Sequence, residues 1–355
     1  MSGSGVERSG ESEGESLDES LEEPVEEPVG ESVEESARER VTERSAPPLA
    51  PRPPSALVVT LLLALLSVVW GSTWLVIKQG LVDLPPFLGL GLRFCLAGLV
   101  MAAIAPAIRR REGGTRPGWG LTLVVAIAEF GVSYGIVYRA ELVVSSGLVA
   151  VLWAVYPLLM ALCGHLAIPG ERLPARAWAG FSVGFGGVVL LFFTDLANAG
   201  PAAWGWGAAV IFGAGVVALG TTVLKLRAHG ASSALLNRNG MLFSGPMFLA
   251  LWFWLERDLP WQLTGQALFS VVYLAVMGTV VTFGVYFWLL RHVAAFRLSL
   301  IAYVIPLVAL LLGVLFGDES VGPSTLAGTA LILLGVAAGV RGSDRRRAHG
   351  DARGD

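Results

Sequence analysis

Leu148-Val149-Ala150-Val151-Leu152-Trp153-Ala154-Val155-Tyr156-Pro157-Leu158-Leu159 is an apolar run broken once, by proline. Leu298-Ser299-Leu300-Ile301-Ala302-Tyr303-Val304-Ile305-Pro306-Leu307-Val308 repeats the pattern, with its proline 149 residues later. Each run leaves through an acidic exit, Pro169-Gly170-Glu171-Arg172 in the first case and Gly317-Asp318-Glu319 in the second. Each exit is followed, at almost the same offset, by a glycine-bearing helix start, Trp178-Ala179-Gly180 and Leu326-Ala327-Gly328. The chain is thus built from two similar halves in tandem.

Working outward from these two runs, the sequence holds ten apolar stretches. They cover 56–77, 87–108, 118–138, 142–166, 176–194, 204–225, 234–254, 267–289, 296–316 and 323–341. About 20 apolar residues cross a bilayer core as a helix. Barrel strands would alternate over about ten residues, and Leu61-Leu62-Leu63-Ala64-Leu65-Leu66 does not alternate. The expected fold is all-α and membrane-embedded, with ten transmembrane helices. Five spans per half is an odd number, so the second half enters the membrane inverted.

Charge is divided as sharply as hydropathy. Residues 1–55 hold 15 of the 28 acidic and 5 of the 25 basic side chains, a balance of −10 against +7 for the rest. The net −3 describes neither region. Mean hydropathy is +0.66 with the polar tail included. These values exclude a soluble globular enzyme and a nucleic-acid binder, and leave the lipid bilayer as the surroundings. Residues 1–55 form an acidic, Pro-rich tail that lacks the apolar surface to offset its ordering entropy. Its start is acidic and has no apolar h-region, so it is not a signal peptide. Residues 56–194 and 204–341 are the two five-helix repeats, and 342–355 is a basic tail.

Arginine and lysine mark alternate connections: Arg109, Arg110, Arg111 and Arg116; Arg172 and Arg176; Lys225 and Arg227; Arg291 and Arg297; then Arg341 and Arg345. Positive loops stay inside, so both termini are expected in the cytoplasm and the protein in the cytoplasmic membrane.

Two inverted halves are the plan of many secondary transporters, which bind substrate near the midplane between repeats. Ionisable groups at membrane depth are functional candidates by default. Glu129, mid-span, binds a cationic substrate, carries a proton or is a hydrogen-bonded structural group. Arg93 holds a substrate carboxylate bidentately or pairs with Glu141 or Glu129. Glu141 and Arg139 stand at the turn between spans 3 and 4, where interfacial charges reaching water are the plainer alternative. Trp70, Trp153, Tyr156, Tyr286 and Tyr303 lie deep enough to line an amphipathic pocket or to pack. Pro157 and Pro306 free the carbonyls of Trp153 and Ala302 and are hinge candidates.

The chain also resembles the drug/metabolite transporter superfamily, EamA type. The resemblance is carried by Trp70-Gly71-Ser72-Thr73-Trp74-Leu75-Val76-Ile77-Lys78, by Pro85-Pro86 before Arg93-Phe94, and by Ala140-Glu141 with Ser146-Gly147-Leu148 ahead of Tyr156-Pro157. Glu171 and Glu319 fit as well, although Pro169 stands where the family more often has leucine. It covers residues 56–341 and implies two EamA halves, a small-molecule substrate, and export of small metabolites or drugs by alternating access. The match at Ala140-Glu141 ranks Glu141 as a site candidate for proton coupling.

No P-loop, G-x-S-x-G elbow or metal-ligand histidine spacing occurs, so no cofactor, metal or catalytic group is expected. Nothing in the sequence separates a monomer from a homodimer. The remaining alternative is a non-transporting membrane subunit or sensor that docks through the acidic tail.

Overall fold

The computed structural model describes residues 54–169, 173–299, 301–316, 323, 326–328, 330–335 and 338, with side chains for all but 191–199, 296, 303, 310, 313, 314 and 316. The acidic tail, Glu171, Glu319, the C-terminal tail and the Tyr303 side chain lie outside the described residues. Every element named here is helical. They are α1 (Ala56–Gly80), α2 (Pro86–Glu112), α3 (Trp119–Ala140), α4 (Ser146–Ala167), α5 (Ala175–Ala199), α6 (Pro201–Arg227), α7 (Ser233–Leu255) and α8 (Gly265–His292). Next come α9, described over Ala295–Ser299 and Ile301–Phe316, and α10, described as helical at 326–328 and 330–335. Six of these, α1 to α4, α6 and α8, are each long and apolar enough to cross a membrane.

Local chemistry sets the starts. Ser55, Ser145, Ser232 and Thr264 accept the amides of Val58, Leu148, Leu235 and Ala267, capping α1, α4, α7 and α8. Pro86 and Pro201 open α2 and α6, where a missing N–H costs nothing. The exposed faces are as apolar as the buried ones: Leu57, Leu61 and Val68 point out of the bundle while Leu66 and Val69 point in. Such helices suit lipid rather than water.

The two halves meet through glycine. A Cβ on Gly91 would lie 2.5 Å from the Leu249 side chain, one on Gly98 3.0 Å from Leu242, and one on Gly245 2.7 Å from the Cys95 backbone nitrogen. As the α2 number rises the α7 number falls, so these equivalent helices run antiparallel. That is the inversion expected from an odd number of spans. A Cβ on Gly335 of α10 would likewise lie 2.3 Å from the Gly184 nitrogen of α5. With lipid outside, small residues let backbones approach and supply the packing that holds such helices together.

Three helices depart from the uniform spans expected. α3 changes to π-helix over Val124–Val132, and α8 over Val276–Val281. The two segments occupy matching places in the two halves, and π-turns inside helices gather at functional sites. α4 starts at Ser146 rather than 142 and is interrupted at Ala154–Val155, just ahead of Pro157. Proline cannot supply the amide that would carry the helix through. Its counterpart α9 carries Pro306 inside Ile301–Phe316.

Candidate functional site

The π-segment of α3 displaces the helix register and turns Glu129 into the bundle. Ser133 donates back to the Glu129 carbonyl at 2.6 Å. The Glu129 carboxylate accepts from Thr221 Oγ1 of α6 at 2.9 Å. Thr221 in turn meets the Tyr156 hydroxyl at 3.3 Å, and the Tyr156 and Tyr286 hydroxyls are 3.0 Å apart. One carboxylate, one threonine and two tyrosines from α3, α6, α4 and α8 therefore form one polar cluster.

This cluster borders a cavity walled also by Trp70, Trp74, Tyr134, Trp153 and Phe283. Trp70 lies edge-on to Phe283 at 5.5 Å, and Trp153 stacks on Tyr156. The indole nitrogens of Trp70 and Trp74 have no partner among the described residues and remain as donors. None of the described lining residues is basic. The site thus offers aromatic faces, a few hydroxyls and a single carboxylate, which suits an organic cation through ring faces and charge together.

Glu129, Trp70, Trp153, Tyr156 and Tyr286 all line this one cavity. Pro157 follows Tyr156, and Pro306 follows Ile305, another wall residue. Tyr303 shares a helix with wall residues Ala302 and Ile305, but its side chain is outside the described residues. Arg93 is not a wall residue. Its guanidinium lies behind Tyr134, 4.6 Å from that ring. It donates to Thr279 Oγ1 at 2.8 Å, to the Tyr138 hydroxyl at 3.2 Å and to the Gly278 carbonyl at 3.1 Å. It pairs with neither Glu129 nor Glu141. Instead it holds a carbonyl within the α8 π-segment, opposite the segment that carries Glu129. Thr221, Ser133, Trp74 and Tyr134 escaped the sequence reading. Thr221-Thr222, a polar pair inside an apolar run, was the available signal.

Glu141 follows the last turn of α3 and is fully buried, not an interfacial charge reaching water. Neither carboxylate oxygen has a hydrogen-bond partner among the described residues. Lys78 Nζ reaches the Glu141 backbone carbonyl rather than its carboxylate. Burial pushes the Glu141 carboxyl well up, and the nearby Lys78 charge offsets this only in part. A carboxyl raised by folding favours the native state while protonated and costs stability as pH climbs out of the ordinary carboxylate range. The Glu141→Gln variant should therefore melt level with the native form in acid and increasingly above it as pH rises. Thermal melts across that pH series check the sign, and a gap that narrows with rising pH would contradict it.

A helical membrane bundle of two inverted halves around a central cavity is the architecture of a transport protein. A model of the EamA-like transporter family matches residues 58–193 and 205–340, and the chain belongs to that family. It thereby falls in the drug/metabolite transporter superfamily, whose general function is transport. Among its relatives is the uncharacterized transporter YoaV of Bacillus subtilis, 25% identical over 79% of this chain and 96% of its own length. The uncharacterized inner membrane transporter YedA of Escherichia coli is 28% identical over 76% of this chain and 85% of its own. Protein PecM of Dickeya dadantii is 28% identical over 74% and 86%. A crystal structure overlays with TM-score 0.68 at 21% identity, over 82% of this chain and 99% of that one, which shows a shared fold.

Proposed function

We propose that the protein is a secondary exporter of small organic cations or amines, working by alternating access across the cytoplasmic membrane with both termini inside. The observation that carries this reading is the Glu129 carboxylate in an aromatic cavity, the one charged group among the described wall residues. A carboxylate withdrawn from water needs a proton or a positive partner close by. A cationic cargo and a proton therefore compete for Glu129, and that competition couples cargo leaving to proton entry. The interrupted α4, with Pro157, and α9, with Pro306, supply the joints on which the halves rock. Export is the direction that kinship with this family favours.

The test compares the medium around cells overexpressing the native protein, Glu129→Gln and Glu141→Gln. One class of basic compound should accumulate with the native form and fall to background with Glu129→Gln. Equal accumulation with all three forms would remove both carboxylates from the transport cycle. Accumulation of acids alone would reject the cation reading.

A further inference from the structure

The helices α2 and α7 cap each other reciprocally. Glu256, at the end of α7, accepts the Phe87 amide in the first turn of α2 at 2.8 Å. Glu112, at the end of α2, accepts the Ala234 amide in the first turn of α7 at 3.0 Å, with the Ser232 and Ser233 hydroxyls each at 2.6 Å. Phe87 and Glu112 stand at opposite ends of one helix, roughly 37 Å apart at 1.5 Å per residue. Each carboxylate therefore belongs to a different face of the membrane.

Each also holds one arginine from a third helix. Arg139, at the end of α3, meets Glu256 at 3.0 Å, and Arg291, at the end of α8, meets Glu112 at 3.5 Å. Among the described residues these are the only ion pairs between distant parts of the chain. The lysines follow the same symmetry. Lys78 at the end of α1 caps the α3 terminus through the Glu141 carbonyl, and Lys225 at the end of α6 caps the α8 terminus through the carbonyls of Leu290 and Val293. They are the only two lysines in the chain, 147 residues apart. The same construction thus appears twice, once per face. In each copy a lysine joins α1 or α6 to the end of the π-containing helix, and an arginine joins that end to the α2–α7 pair.

The geometry points to Arg139 and Arg291 as the two gate latches, Arg139 on Glu256 closing one face and Arg291 on Glu112 the other, released in alternation. The inference rests on the alternating-access reading. The α2–α7 pair is fixed by glycine packing, and its buried carboxylates keep their amide partners whichever latch is open. The arginines are the detachable members, with side chains 39% and 33% exposed against 1% and 9% for Glu256 and Glu112. Both π-segments lie between a latch and the far end of its helix, so freeing the arginine lets that end swing while the remainder stays packed.

Labelling from each face tests this without knowing the cargo. The reporter is Ser133→Cys, a cavity-wall position, in a chain whose Cys95 and Cys163 are changed to alanine. A membrane-impermeant thiol reagent is applied to intact cells and to inverted vesicles. Arg139→Gln should raise labelling from one face about fivefold and lower it from the other, and Arg291→Gln should do the reverse, a shift in scale with a partly exposed ion pair. Glu256→Gln and Glu112→Gln, which keep an amide-accepting oxygen, should mirror their arginine partners and serve if an arginine variant does not fold. If the reporter is reached from both faces but both arginine variants shift it the same way, or neither does, the latches are refuted while alternating access stands. Labelling from one face only in every variant would overturn both.

Discussion

Glu129→Gln is expected to lower apparent affinity for a basic cargo about ten- to a hundredfold, the range of one hydrogen bond to a charged group. Transport that varies with pH in the native protein should become flat, since the variant has no proton to exchange at that position. Thr221→Val removes the 2.9 Å donor to the carboxylate but leaves the charge. It should weaken binding by a smaller factor and keep the pH dependence. Initial rates in inverted vesicles over a pH series distinguish the two variants. A Glu129→Gln protein that still responds to pH would place the coupling proton elsewhere, and Glu141, buried without a carboxylate partner, would then be the group to change.

Gly245→Leu should be strongly damaging although it lies outside the cavity. Even one carbon at Gly245 would sit 2.7 Å from the Cys95 backbone nitrogen, and the larger side chain must push α2 and α7 apart. Overpacking of this kind costs about 1–3 kcal/mol in soluble cores, and more where backbone itself blocks the way. Here it also pulls the reciprocal caps at both ends of the pair. The expected result is a purified protein that aggregates or melts far below the native form. Gly284→Ala is the matched control. It lies inside α8 with nothing within 4 Å of the added carbon, and its stability should rise slightly or stay level. Equal behaviour of the two variants in thermal melts would show that the α2–α7 contact does not hold the halves together.

Much of this was legible in the chain itself. Apolar length specified the spans, and the Pro157 and Pro306 runs revealed the repeat. Glu129 stood out because a carboxylate in the middle of such a run is costly. Its neighbours were harder to see, because Tyr156, Thr221 and Tyr286 come from three other helices and only packing brings them to one point. The π-segments carry no periodic signature, so the reason Arg93 is buried stayed hidden: it serves the α8 π-segment at Gly278 and Thr279. Glu112 follows Arg109-Arg110-Arg111 and reads as part of a basic membrane edge, although its oxygens cap α7. Glu256 sits beside Arg257 and Asp258 and looks like one more loop charge, yet it caps α2. End-to-end relations between helices depend on which spans become neighbours, and no local pattern encodes that.

The proposed export depends first on the aromatic cavity around Glu129 binding a small organic cation. Its most direct test is the melting temperature of the purified protein against a panel of small amines, quaternary ammonium compounds, neutral compounds and carboxylates. A ligand at a hundred times its dissociation constant stabilises by about 2.7 kcal/mol, an easily read upward shift. The stabilising compounds should be amines or quaternary cations, and Glu129→Ala and Trp70→Ala should each abolish the shift. Stabilisation by carboxylates instead, or by cations equally in the native and variant proteins, would contradict it.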